Sequence, residues 1–153
     1  MILAASERIA APRDFVFARA VEFDRLARAA AARGAQIAEP ERDGTRVRYA
    51  LRYPFRDSLW PVVLVLESTT PPEALEIGVE SDVAIAQGEV VFLELDAALT
   101  QVDLRAEVRP RNMQGRLLLG SLNVLRGRVQ QRLDRDLSTM ARTAEALWQA
   151  AGP

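Results

Sequence analysis

The stretch Val102-Asp103-Leu104-Arg105-Ala106-Glu107-Val108-Arg109-Pro110 sets apolar Val102, Leu104, Ala106 and Val108 against charged Asp103, Arg105, Glu107 and Arg109, then ends at a proline. Such strict alternation is the pattern of a half-buried strand. Beyond Pro110 the period changes. Leu118, Leu122, Leu125, Val129, Leu133, Leu137, Met140, Ala144 and Leu147 recur three or four residues apart, which draws an apolar stripe along a helix reaching almost to the end of the chain. One straight helix over residues 112–150 would run about 58 Å, whereas a domain of this length has a radius of gyration of about 15 Å. A break is therefore expected at Gly120 or Gly127, with a short segment over 112–120 and a main helix from Ser121 or later to Gln149.

Upstream, the same period of two repeats. Thr45–Tyr53 places Val47, Tyr49, Leu51 and Tyr53 on one face and Arg46, Arg48, Ala50 and Arg52 on the other, after a hairpin turn at Asp43-Gly44. Pro61–Ser68 is a nearly continuous apolar run, Pro71-Pro72 interrupts it, and Ala74–Glu80 and Glu89–Ala97 alternate again. Consecutive strands with short links imply an antiparallel meander. Before them lie an opening strand over Ile2–Ile9, a short helix over Pro12–Val21 begun by a proline, and a second helix over Arg25–Arg33, capped by Asp24 and closed by Gly34. The expected fold is α+β, a single domain over residues 1–153.

Composition removes much chemistry. The chain has no His, no Cys and no Lys, and its 20 basic residues are all Arg. Imidazole relays, thiolate nucleophiles, His- or Cys-ligated metals, Schiff bases and a P-loop lysine are thereby excluded, and no metal, cofactor or catalytic residue is assigned. Carboxylates, hydroxyls and arginines remain. The apolar run Met1–Ala5 meets Ser6, Glu7 and Arg8 too early for a signal peptide, and the uncharged stretches fall short of the ~20 residues that span a bilayer. A cytoplasmic location is expected.

The order of strand, two short helices, antiparallel strands and long C-terminal helix resembles the START-like, or SRPBCC (polyketide cyclase/dehydrase and lipid-transport), superfamily. The likeness spans nearly the whole chain. Glu7-Arg8-Ile9-Ala10-Ala11-Pro12-Arg13-Asp14-Phe15-Val16-Phe17 looks like that superfamily's opening, and Leu99-Thr100-Gln101-Val102 like its final hairpin. The resemblance implies a helix-grip fold, in which a curved sheet wraps a C-terminal helix and commonly leaves an apolar cavity for a lipid, quinone, polyketide or similar hydrophobic molecule. Catalysis occurs in only some branches, and no invariant catalytic residue exists to carry over.

The candidate ligand-binding face combines Val47, Tyr49, Leu51, Tyr53, Trp60, Leu104, Leu125, Val129 and Leu133. Two readings stand: an apolar pocket with a few hydroxyls, or side chains that interlock and leave no space. Tyr49, mid-strand, is the expected polar handle. Glu7 shares the inward parity of Leu3, Ala5 and Ile9, so an enzyme of the cyclase or dehydratase type, using inward carboxylate and Tyr groups, is the alternative. The aromatic tip around Phe55 and Trp60 is either a lid, a contact surface or a fold-back onto the core.

Charge is segregated although the net is −1. Asp57 through Asp103 holds ten acids and no Arg, while Arg105 through Arg132 holds seven Arg against Glu107 alone. Cross-strand pairing of Arg46, Arg48 and Arg52 with Glu67, Glu76 or Glu80 is one outlet. The other is a basic apolar patch of Arg109, Arg111, Arg116, Arg126 and Arg128 beside Leu117–Leu119, suited to an anionic membrane surface or an acidic protein. Nucleic acid is not expected, because no aromatic residue between Phe92 and Trp148 is available to stack on bases.

Overall fold

A computed structural model gives the structure, and it describes residues 1–55 and 57–152. The elements are β1 (Ile2–Ile9), α1 (Arg13–Ala20), α2 (Phe23–Ala32), β2 (Gln36–Ile37), β3 (Glu41–Asp43), β4 (Arg46–Phe55), β5 (Ser58–Thr70), β6 (Ala74–Ser81), β7 (Ala84–Asp96), β8 (Leu99–Pro110), α3 (Met113–Val124) and α4 (Arg126–Ala150). The strands form one antiparallel sheet in the order β1-β8-β7-β6-β5-β4-β2, with β3 also paired to β4. The sheet is curved and the long helix is C-terminal, which is the helix-grip arrangement.

The predicted strands are all present, and several run further than alternation alone indicates. β5, β7 and β8 continue to the hairpin tips, where polar and apolar residues no longer alternate. Glu41–Asp43 turns back onto β4 through Gly44-Thr45, one position later than expected, with Gly44 at φ 59°. That left-handed conformation is one a glycine adopts without a Cβ penalty. At the aromatic tip, Asp57 takes φ 62° between β4 and β5, and Arg56 lies outside the described residues.

Two helix expectations need correction. Asp24 does not cap α2: the N-cap is Glu22, without a side-chain bond, and Asp24 sits in the first helical turn. Its carboxylate is held instead by Arg42 and by the Tyr49 hydroxyl. The break in the C-terminal helix falls at Leu125 (φ −95°, ψ 16°), two residues before Gly127, and Gly120 lies inside α3 without interrupting it. A glycine lowers helix propensity by about 1 kcal/mol but does not force a break. Gly115 has a different use: a Cβ there would come within 1.9 Å of the Val83 carbonyl oxygen, so its absence lets α3 seat on the β6–β7 turn.

Two clusters of buried side chains make the core. The first joins Ile9, Ala11, Val16 and Phe17 to Leu75, Phe92 and Val102 of the sheet and to Ala141 and Ala144 of α4, with Leu137 and Trp148 beside them. The second packs Phe23 of α2 on Val47, Tyr49 and Leu66. Thr100, fully buried, satisfies its hydroxyl by donating to the Ala11 carbonyl at 2.8 Å.

The sheet's first edge is covered rather than left open. Met1, Leu3 and their alternates bond to β8, so the carbonyls of Ile2, Ala4 and Arg8 point outward. Helix α4 packs principally along β1 and supplies the missing donors: Arg126 to Ile2 at 3.3 Å, Gln130 to Ala4 at 2.7 Å and Arg142 to Arg8 at 2.7 Å. An unpaired edge invites pairing with another chain; here a helix closes it. The far edge, β2, is two residues long.

Candidate functional site

Register and burial together define an inner sheet face. Across β4, β5, β6, β7 and β8 one inward row runs Val47, Leu66, Ile77, Gly88 and Ala106, and the next runs Tyr49, Leu64, Val79, Ala86 and Val108. Leu51 and Val62 continue the face, followed by the opposed pair Tyr53 and Trp60. At one end Val47, Tyr49 and Leu66 are buried beneath α2, and Leu75, Phe92 and Val102 of the same face are buried beneath α1 and the C-terminal half of α4. Toward the other end Leu51, Val62, Val79, Ala86 and Val108 are only half-buried, and none of Val62, Val79, Ala86 and Val108 belongs to either core cluster. The total accessible surface is 9456 Å², against about 7,700 Å² for a compact chain of this size. An apolar sheet face with incomplete cover contributes to such an excess.

The predicted site residues are distributed over this face unequally. Val47 and Tyr49 are buried in the second core cluster, with Leu51 packed at its margin. Tyr53, Trp60 and Leu104 are half-buried on the inner face, and Val129 and Leu133 are half-buried on the first turns of α4. Leu125, at the α3–α4 junction, is 42% exposed.

Tyr49 is already engaged. Its hydroxyl donates to Asp24 at 3.2 Å, and its pKa is raised, first by burial and then by the bond and charge of Asp24, with Arg42 opposing. Tyr53, four residues on and facing the same way, has no hydrogen-bond partner for its hydroxyl among the described residues. Beside it Phe55 and Trp60 meet edge-on, 5.7 Å between centroids at 87°, and Trp60 Nε1 donates to Ser58 at 2.9 Å. Phe55 and Trp60 thus pack on each other, and among the described residues of this region the hydroxyl without a hydrogen-bond partner is that of Tyr53. Alternation alone could not tell the two tyrosines apart, because the discriminating group, Asp24, lies on another element.

Glu7 has the inward parity expected of it but accepts from Arg142 at 3.1 Å. A recess of ≈ 560 Å³ opens at the other end of the sheet, beside Ser81, Asp82 and Arg111, and shares Leu51 and Val62 with the inner face. Its lining also includes Ala50, Val63 and Glu80 of the opposite parity and no described residue of α4, so it straddles the strand ends and is not a space between sheet and α4.

The outer face explains part of the charge segregation. In one cross-strand row Glu67, Glu76 and Glu89 stand between Arg46 and Arg105, and Arg48 pairs with Glu41 at 3.6 Å rather than with an acid of β5 or β6. Arg109 is taken up by Glu107 at 3.0 Å and holds that carboxyl below its ordinary value. No group of acidic residues among those described could hold a metal ion, and no described helix is long and apolar enough to cross a membrane.

Solved structures share this architecture end to end. An aromatase/cyclase, Zhui, from Streptomyces sp. R1128 superposes with a TM-score of 0.73 at 19% identity, over 99% of this chain and 98% of that one. The fold is START-like. A protein of Thermus thermophilus matches at TM-score 0.64 and 20% identity over the full length of both chains. A START superfamily protein from Mycobacterium smegmatis matches at TM-score 0.51 and 15% identity, over 86% of this chain and 95% of its own. No protein-family model and no curated protein sequence matches the chain. At these identities the START-like likeness is one of fold.

Proposed function

We propose that the chain binds, and by binding carries, a hydrophobic small molecule such as a lipid, a quinone or a polyketide, held on the inner sheet face between β4–β8 and the first half of α4. The observation that supports this reading is the half-buried apolar floor that runs on from Leu51, at the margin of the second core cluster, to Val62, Val79, Ala86 and Val108, which belong to neither cluster. Apolar walls with few convergent polar groups are the usual composition of such sites. Tyr53 supplies the polar handle, with Phe55 and Trp60 beside it. The similarity to an aromatase/cyclase and to a START superfamily protein is compatible with this use of the fold. An enzymatic use has less support, since Glu7 is paired with Arg142 and the Tyr49 hydroxyl with Asp24.

Native mass spectrometry of purified protein, followed by organic extraction, is expected to recover a bound lipid or aromatic compound. For that compound, Tyr53→Phe should weaken binding about fivefold to tenfold, the worth of one hydrogen bond, with circular dichroism unchanged. A protein that is consistently empty and takes up no fatty acid, quinone or aromatic probe refutes the reading; an unaltered affinity in the variant removes Tyr53 as the handle.

A further inference from the structure

Helix α3 is apolar on two opposite sides, and the fold uses one of them. Gly115, Leu118, Leu119 and Leu122 face β8 and the Val83 turn; Gly115 is buried and the three leucines are half-buried or lie at the border. On the other side, at helical spacing, Met113, Leu117 and Val124 are 66%, 69% and 85% exposed. At about 100° per residue these three fall within an arc of about 40°. Leu125 follows at the junction. A helix in a water-soluble domain buries one apolar stripe and turns polar residues outward; here the outward stripe is apolar as well.

Along the chain the charge through and beside α3 has one sign, and the acid that the fold brings to its start is Asp82, whose carbonyl accepts from Asn112. Between Val108 and Leu133 there are six Arg and no acid. Of these, Arg109 is paired with Glu107, Arg111 donates to the Ser81 carbonyl, Arg126 to the Ile2 carbonyl, and Arg132 lies 4.0 Å from Asp136. Arg116 and Arg128 have no ion pair among the described residues. Arg116 borders the stripe within α3, and Arg128 lies on the first turn of α4.

We propose that the outward stripe of α3, with Arg116 and Arg128, is a docking surface for an anionic lipid bilayer. Exposed apolar side chains flanked by unpaired guanidinium groups match both layers of such a surface: the acyl boundary takes the apolar stripe and the lipid phosphates take the arginines. A second copy of the chain fits less well. A two-fold contact sets the same patch against itself, so each Arg116 and Arg128 would face its own kind. The position suits exchange with a membrane, because α3 springs from Arg111 and Asn112, which bond to the Ser81 and Asp82 carbonyls at the open end of the sheet.

The test is co-sedimentation with vesicles of phosphatidylcholine carrying about one third phosphatidylglycerol, compared with phosphatidylcholine alone. The protein is expected to pellet with the first and not the second, and to be released in about 1 M salt. The double variant Leu117→Glu/Val124→Glu should abolish pelleting with an unchanged circular dichroism spectrum, since both side chains already stand in water. Arg116→Gln and Arg128→Gln should each weaken binding about fivefold. Ala86→Leu, which fills the floor of the inner face, should pellet like the parent; its pelleting together with loss of hydrophobic-probe uptake separates docking from ligand capture. Absence of pelleting, equal pelleting on neutral vesicles, or indifference to the Glu variants overturns the proposal. So does a concentration-dependent dimer that the same variants dissolve, which assigns the stripe to a second copy.

Discussion

The two ends of the inner sheet face are made by the same strands with the same alternation, and they differ in what lies over them. At one end Phe92, Val102 and Leu75 sit beneath Phe17, Ala141 and Ala144, with Phe17 and Phe92 in edge contact at 5.2 Å. At the other end Leu51, Val62, Val79, Ala86 and Val108 are half-buried. Alternation assigns a side chain to a face; a second layer of structure decides whether that face becomes core. Helix α4 makes the difference along its own length. Its C-terminal half presents small Ala141 and Ala144, which allow close approach to the sheet, while in its first half Arg126 and Gln130 close the edge of β1.

The largest expected effect follows directly. Phe92→Ala removes a ring from the closed end and should cost ~3–5 kcal/mol of unfolding free energy, read from urea denaturation. Leu51→Ala at the open end should cost less than ~1.5 kcal/mol, because its side chain is already partly in water. Similar costs for the two would show that the ends are equally filled. Adding volume gives a second contrast: Ala141→Leu should overpack the closed end by ~1–3 kcal/mol, whereas Ala86→Leu should change stability by within ~0.5 kcal/mol while reducing uptake of a hydrophobic probe. If Ala86→Leu destabilises as much as Ala141→Leu, the open floor is occupied by protein and the ligand-binding reading fails.

The physical origin of these contrasts also explains what could be read in the chain alone. The five long strands after α2, the helix that follows Pro110 and the resemblance of Glu7–Phe17 to a START-like opening were legible, because period and punctuation are local properties. Strands β2 and β3 were not, since Gln36-Ile37 is too short to show a period and Glu41-Arg42-Asp43 is wholly polar. The break at Leu125 was displaced from the two glycines that advertised it because its place is set by where α3, anchored through Gly115, must turn to reach β1. At the site, the inward parity of Tyr49, Tyr53 and Leu51 could be read from sequence, and the partner of each hydroxyl could not. Asp24 is 25 residues from Tyr49 in sequence, and a carboxylate at a helix start reads equally well as a cap.

The smallest contrast sets one tyrosine against the other. Tyr49 is held at the covered end with its hydroxyl on Asp24, and burial together with that carboxylate raises its pKa. A raised folded value means that the native state holds the phenolic proton more tightly than the unfolded chain does. The corresponding stabilisation is whole below about pH 10, the ordinary tyrosine value, and is lost as pH rises from there through the folded value. Tyr49→Phe should therefore lower stability by ~1 kcal/mol near neutrality, for the lost hydrogen bond, and should remove this part of the decline above about pH 10. Tyr53→Phe should shift the urea midpoint by no more than the equivalent of ~0.5 kcal/mol, because its hydroxyl has no hydrogen-bond partner among the described residues. Unfolding of both variants and the parent across the alkaline range reads the difference. Equal losses at neutrality, with the alkaline decline intact in Tyr49→Phe, would mean that Asp24 answers chiefly to Arg42 and that Tyr49 is as free as Tyr53 to meet a ligand.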